Sequence, residues 1–169
     1  MEIERKYLVA RLPEGLSECS GVEIEQCYLC TSPTMRIRRM GDVFVLTVKE
    51  HIPVGSTAIH NREEEFVMPR ESYELLKAKC EGYNIVKTRY RIPLQDGLVA
   101  ELDIFHGHHE GLRIVEVEFP DTATADRFAP PSWFGDDVSL DPRYRNSYLS
   151  RHQEFNSLVM SCSAPPSMR

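Results

Sequence analysis

Charge alternates with apolar character along most of this chain, and that period of two constrains the fold more than any other feature. Glu2, Glu4 and Lys6 open it. Successive side chains of a strand point to opposite faces, so these two carboxylates and the ammonium share one side. Arg36/Arg38, Thr47/Lys49, Glu63/Glu65, Lys87/Arg89/Arg91, Glu101/Asp103 and Glu116/Glu118 repeat the pattern. Their companions are largely apolar: Ile114, Val115, Val117 and Phe119 surround Glu116/Glu118, and Leu98, Ala100, Leu102 and Ile104 flank Glu101/Asp103. One strand of this kind is also what an open antiparallel sheet shows, with its charges solvated and weakly paired on the outside. Repetition along the chain points instead to a shared charged face, acidic on some strands and basic on others. Curled into a closed wall, such a face can hold an anionic ligand and its cations in one cavity.

The chain of 169 residues is long enough for one substantial core. One domain is expected over residues 1–150, with 151–169 as a C-terminal extension. The end of that extension, Ser161 to Arg169, contains Ser and Pro with little periodic hydrophobicity and reads as poorly ordered. A net charge of −6 without a dense basic block argues against a nucleic-acid surface, while leaving room for a compact polyanion. No apolar run approaches the roughly 18 residues of a membrane span, and Met1-Glu2-Ile3-Glu4 has neither the basic nor the hydrophobic region of a secretory signal. No membrane and a cytoplasmic location are therefore expected. The cysteines number five, an odd count, which speaks for reduced thiols. Cys27 and Cys30 have CxxC spacing, but a strand sends them to opposite faces, so they are expected to be structural rather than zinc ligands.

Periodicity and turn residues predict strands over 2–10, 23–30, 34–40, 43–50, 61–68, 84–94, 97–106 and 111–119. Gly41-Asp42, Gln95-Asp96-Gly97 and His106–Gly111 supply turns, and 51–60 a longer loop. Helices are expected over 72–80 and 121–128, the second capped by Asp121 or Thr122, and a short one from Asp141/Pro142 through Tyr144, Tyr148 and Leu149. Trp133, Phe134 and Val138 offer an apolar anchor between the last two.

Glu2-Ile-Glu-Arg-Lys6 resembles the ExExK motif that opens the CYTH family, the triphosphate tunnel metalloenzymes. Met35-Arg36-Ile-Arg-Arg39, Leu46-Thr-Val-Lys49, Arg62-Glu-Glu-Glu65, Lys87-Thr-Arg89, Glu101-Leu-Asp-Ile-Phe105 and Glu116-Val-Glu118 follow in the family's order, and Asp141–Asn146 resembles its C-terminal region. The resemblance implies an α+β fold in which an eight-stranded antiparallel barrel closes around a triphosphate tunnel, with helices outside. It further implies a triphosphate-containing small molecule as substrate.

Triphosphate hydrolysis explains the mixture of charges, since carboxylates hold a divalent cation while Lys and Arg contact non-bridging phosphate oxygens. Glu2, Glu4, Glu116 and Glu118 are placed around Mg²⁺ or Mn²⁺, with Asp103 as a further ligand or water organiser. Arg36, Arg38, Lys49, Lys87 and Arg89 are the phosphate clamps, and Lys6 bridges carboxylate and phosphate. Glu4, Glu63, Glu65 and Lys6 are the expected catalytic group, with Glu63, Glu65 or Glu118 orienting a metal-activated water for attack on a terminal phosphorus. Arg5 and Arg39 are expected outside the tunnel and Arg91 near a mouth. Arg113 and Arg143 are left between a substrate end and external salt bridges, and the His106/His108/His109 group is expected to be a surface turn. Inorganic tripolyphosphatase activity is the leading expectation. Thiamine triphosphate hydrolysis, ATP cyclisation and non-catalytic polyphosphate binding stay open, as does a homodimer formed through an outer sheet or helix face.

Overall fold

The structure is a computed structural model that describes residues 2–52 and 58–152, so the expected C-terminal extension lies outside the described residues except for Arg151 and His152. Along the chain run β1 (Glu2–Val9), β2 (Val22–Thr31), β3 (Thr34–Met40), β4 (Val43–His51), β5 (Ile59–Val67), α1 (Arg70–Lys77), β6 (Glu81–Pro93), β7 (Val99–His106), β8 (Arg113–Phe119), α2 (Thr122–Arg127), β9 (Phe134–Asp137) and α3 (Asn146–Leu149). Neighbours are antiparallel in the order β5-β4-β3-β2-β6-β7-β8-β1, and β1 returns to β5. That last pairing closes the sheet into an eight-stranded barrel, as expected from the sequence.

Closure divides one edge of β1 between two partners. Glu2, Ile3 and Glu4 pair with Asn61, His60 and Ile59 of β5, while Tyr7 and Val9 pair with Asp137 and Phe134 of β9. The short ninth strand carries part of the apolar anchor expected at Trp133, Phe134 and Val138: Phe134 and Val138 are buried, and Trp133 packs against the same core. Its continuation also fixes Lys6: Val138 N–H donates to the Lys6 carbonyl at 2.8 Å, and Lys6 N–H donates to Ser139 Oγ at 2.9 Å.

Because β1 alternates, Ile3 and Tyr7 point outward, where they pack with Val115, Val117, Phe119 and Ala100 beneath Ala125 of α2 and Phe134. Tyr7 and Phe134 stand 5.1 Å apart between ring centroids, and Asp121 caps α2 by accepting the Thr124 N–H at 2.7 Å. A second outer cluster, Cys27, Ile37, Phe44 and Tyr73 with Leu46, Leu76 and Cys80, lies under α1. That helix starts at Arg70, directly after Pro69, and ends at Lys77, slightly earlier than the expected 72–80. The third expected helix divides into a 3-10 turn over Pro142–Tyr144 and α3. Cys27 is buried under α1, and the described cysteines are free. Among the described residues no helix is long and apolar enough to cross a membrane.

The third cluster is inside the barrel. Tyr28, Ile85, Phe105 and Ile114 share inward-facing positions and pack with Leu112, Leu149 and Tyr144. They fill the end at which β7 turns into β8 and β6 begins, and α3 seals it. From this plug the inward positions lead to the open mouth: Ile114, Glu116, Glu118 along β8, and Ile85, Lys87, Arg89, Arg91 along β6. At about 3.3 Å per residue, Glu118 stands roughly 13 Å along its strand from Ile114.

Candidate active site

The space above the plug is a cavity of about 1850 Å³ lined by charged residues from every barrel strand except β2, which contributes Ile24 and Tyr28 instead. Glu2, Glu4, Lys6, Arg36, Arg38, Lys49, Glu63, Glu65, Lys87, Arg89, Glu116 and Glu118 all line it. Asp103 is 1% exposed and sits beneath them against Lys87 and Arg89.

Strand register explains the pairings. Lys6 lies opposite Glu116 and Glu4 opposite Glu118, Arg89 opposite Asp103, and Lys49 opposite Glu63. Lys6 Nζ reaches Glu116 Oε1 at 2.7 Å. Arg89 presents two nitrogens to the two oxygens of Asp103, each at 2.7 Å, and contacts Glu116 at 3.0 Å and Glu101. On the other wall Lys49 lies 2.9 Å from Glu63 and 3.2 Å from Glu2. Arg36 lies 3.1 Å from Glu63, and Arg38 pairs with Glu65.

Burial disfavours the most deeply held of these charges, and their neighbours decide the balance. Burial would raise Glu63, but Arg36 and Lys49 overcome it and hold the carboxyl at about 2. Glu116 is likewise kept well below the usual carboxylate range, by Lys6 and Arg89 against burial. Lys6 stays above the ordinary lysine value because Glu116 and Glu4 outweigh its burial. Lys87 goes the other way: burial, reinforced by the Arg89 charge, outweighs Asp103 and brings it down to about 8.

Glu2 and Glu118, nearer the mouth, are not compensated in this way. Burial, with Glu63 and Glu118 nearby, lifts Glu2 to about 7 against the pull of Lys49. Glu118 is raised by burial and by Glu101 and Glu4, only partly offset by Lys49 and Glu2. Among the described residues no three His, Cys, Asp or Glu side chains form a group placed to hold a metal ion.

A pH dependence follows from Glu2. Its proton is kept to about pH 7 in the fold, against the ordinary 4.5, so its contribution to stability declines as pH rises through that interval. Replacing Glu2 by Gln removes this contribution. In urea titrations the stability of Glu2→Gln relative to wild type is expected to increase between pH 5 and pH 8; parallel pH profiles would contradict it.

Arg5 lies outside, bonded to Asp137 and to the Ala125 carbonyl, and Arg39 faces Glu25 on the outer surface. Arg91 is 70% exposed at the mouth beside Glu101, and Arg143 forms an external pair with Asp141. The histidine turn is only partly superficial. His106 bonds Thr88 and His108 lies against Tyr83, but His109 is buried and its Nε2 donates to the Leu149 carbonyl at 2.9 Å. That burial corrects the expected surface turn at His109, because α3 folds over it.

Several interior residues escape a search for charge. Tyr28 is buried on the inner face of β2, its hydroxyl accepting from Gln26 Nε2 at 3.1 Å, with Arg36 beside it. Thr47 donates to Glu65 at 3.2 Å, and Asn61 Nδ2 donates to Glu4 at 3.4 Å. Arg145, Asn146 and Ser147 enter the cavity lining from α3 and the residue before it. The signal for Gln26 and Tyr28 was their phase with Ile24; for the α3 residues it was the family-like Asp141–Asn146 segment.

No family model matches this chain. It is 40% identical over 153 residues to an inorganic triphosphatase of Nitrosomonas europaea, spanning 88% of this chain and 96% of that protein. It is 37% identical over 154 residues to an inorganic triphosphatase of Acetivibrio thermocellus, spanning 89% and 94%. A crystal structure of an inorganic triphosphatase superposes with a TM-score of 0.67 at 37% identity, covering 90% of this chain and 95% of the other. A closed eight-stranded barrel, an interior of paired acids and bases, and full-length similarity to these proteins converge on one conclusion: the chain belongs to the CYTH family of triphosphate tunnel enzymes.

Proposed function

We propose that this chain hydrolyses inorganic tripolyphosphate, with water attacking a terminal phosphorus, the P–O bond to the bridging oxygen breaking, and orthophosphate and pyrophosphate leaving. The observation that carries this reading is the division of the cavity into buried bases, fit for phosphate oxygens, and an acid corner of Glu2, Glu4 and Glu118 near the mouth. Similarity to the two inorganic triphosphatases supports it.

Lys6, Arg36, Arg38, Lys49, Lys87 and Arg89 bind non-bridging oxygens in this proposal, exchanging some of their contacts with Glu63, Glu65, Asp103 and Glu116 for the substrate. Those acids keep the empty cavity neutralised and the bases in place. Glu63, held anionic at about 2, is a weak base and serves to orient water, together with Glu65. Lys87, at about 8, can hold or release a proton at Nζ close to neutral pH.

The acid corner offers only oxygen donors, and the upward pKa shifts of Glu2 and Glu118 mark surplus negative charge that a hard cation would relieve, which suits Mg²⁺ or Mn²⁺. Glu2, Glu4 and Glu118 are not gathered into a ligand group as they stand and would have to converge to hold it, with Asp103 and Glu116 supporting from the adjoining ion-pair network. When bound, the ion supplies neutralisation of phosphate charge and a lowered water pKa.

Phosphate release from tripolyphosphate, thiamine triphosphate and ATP, measured with Mg²⁺ or Mn²⁺ and with a metal-free control, tests the proposal. Preferential, metal-dependent turnover of tripolyphosphate is expected, and Glu4→Gln is expected to reduce it roughly 100-fold while staying folded. Selective turnover of thiamine triphosphate, cyclisation of ATP, or binding without release would each replace it.

A further inference from the structure

The sealed end of the barrel carries a cation that the ion-pair network leaves out. Each of the six interior bases discussed above is paired with a carboxylate. Arg145, immediately before α3, lines the same cavity, and among the described residues its guanidinium has no acidic partner. Beside it Asn146 has a buried Oδ1 without a hydrogen bond among the described residues.

Tertiary contacts, rather than an acid, hold this segment in place. Leu149 packs on the plug formed by Tyr28, Ile85, Phe105 and Ile114. His109 Nε2 donates to the carbonyls of Leu149 and His152 at 2.9 and 3.3 Å. The Tyr83 N–H donates to the Ser150 carbonyl at 2.6 Å. An arginine with no internal anion, presented on a pinned helix at the closed end of an anion cavity, is preorganised for an external one.

We propose that Arg145 is a specificity-determining residue that grips the terminal phosphate group reaching the sealed end, and so favours a linear triphosphate over a diphosphate. The proposal rests on the tripolyphosphatase reading above. The acid corner stands several residues along β1 and β8 toward the mouth, with Glu116 and Lys6 between it and the plug. A chain engaging both the corner and Arg145 must extend past that intermediate layer. A diphosphate held at the corner leaves Arg145 unused. The terminal group suits the planar guanidinium, since its three non-bridging oxygens accept paired N–H donors.

The test is steady-state hydrolysis of tripolyphosphate with Mg²⁺ and with pyrophosphate as a competing inhibitor, alongside isothermal titration calorimetry of the metal-free protein with tripolyphosphate, for wild type, Arg145→Ala and Arg145→Lys. Circular dichroism checks folding, and Arg145→Gln stands in if the alanine variant is unfolded. Arg145→Ala is expected to raise the Kd and KM for tripolyphosphate about 10- to 100-fold, with pyrophosphate affinity within twofold of wild type and Arg145→Lys intermediate. Unchanged tripolyphosphate affinity, or equal weakening of both anions, overturns the role of Arg145 while leaving the triphosphatase reading intact. Wild type that neither binds nor hydrolyses tripolyphosphate overturns both.

Discussion

Asp103→Ala is expected to lower the unfolding free energy by about 3–5 kcal/mol, the cost of leaving a buried ion cluster without one of its partners. Asp103 is 1% exposed and receives two bonds from Arg89 as well as the Lys87 ammonium. Without it, two buried cations depend on Glu116 and Glu101 for compensation. Lys87 can escape by losing its proton, since it already stands at about 8. The loss should therefore be smaller at pH 9 than at pH 7, which urea titrations at both values would resolve. A loss below about 1 kcal/mol, the range of exposed pairs, would mean that solvent screens the cluster.

Gly82→Val is expected to destabilise by about 3 kcal/mol or more, combining backbone strain with a steric clash. Gly82 has φ +78°, and a Cβ there would stand 2.2 Å from the Ser150 carbonyl oxygen. That oxygen accepts the Tyr83 N–H, so relief requires α3 to leave its seat. Limited proteolysis should then cut around Arg145–Arg151 faster in the variant, with a lower thermal midpoint. An unchanged midpoint would show that the segment yields without cost.

Alternation made the inner wall legible in advance. Glu2, Glu4 and Lys6, the Arg36/Arg38 pair and Glu116/Glu118 all face the cavity because a strand leaves a side chain only two directions, and Ile3, Tyr7, Val115 and Val117 needed the other. Neutral residues carried no such mark. Tyr28 and Gln26 share the inner face but follow no charge pattern, and Phe134-Gly-Asp-Asp137 is too short and too polar to read as the strand it forms. Partner choice was hidden for a different reason. That Asp103 faces Arg89, and that Glu2 and Glu118 are shifted up while Glu63 stays ionised, depends on register and burial between strands far apart in sequence. His109 was obscured by its neighbours: His106 and His108 behave as turn residues, and only the return of α3 distinguishes the third.

The split edge of β1 sets a timetable for folding. Glu2–Glu4 find their partners at Ile59–Asn61, but the longer pairing, from Ile3 to Leu8, needs Ile114–Phe119, and Tyr7 and Val9 also need β9. A ribosome makes the first strand long before those partners emerge. Until then β2 to β5 can pair locally, while β1 waits as an unclosed stave, and the distant contacts place the barrel among slowly folding topologies. Its alternating charges suit that interval, because a strand with Glu2, Glu4, Arg5 and Lys6 is a poor template for association with another nascent chain. The residues proposed to hold the cation and phosphate would thus also keep the earliest-made part of the chain dissolved while the rest is made.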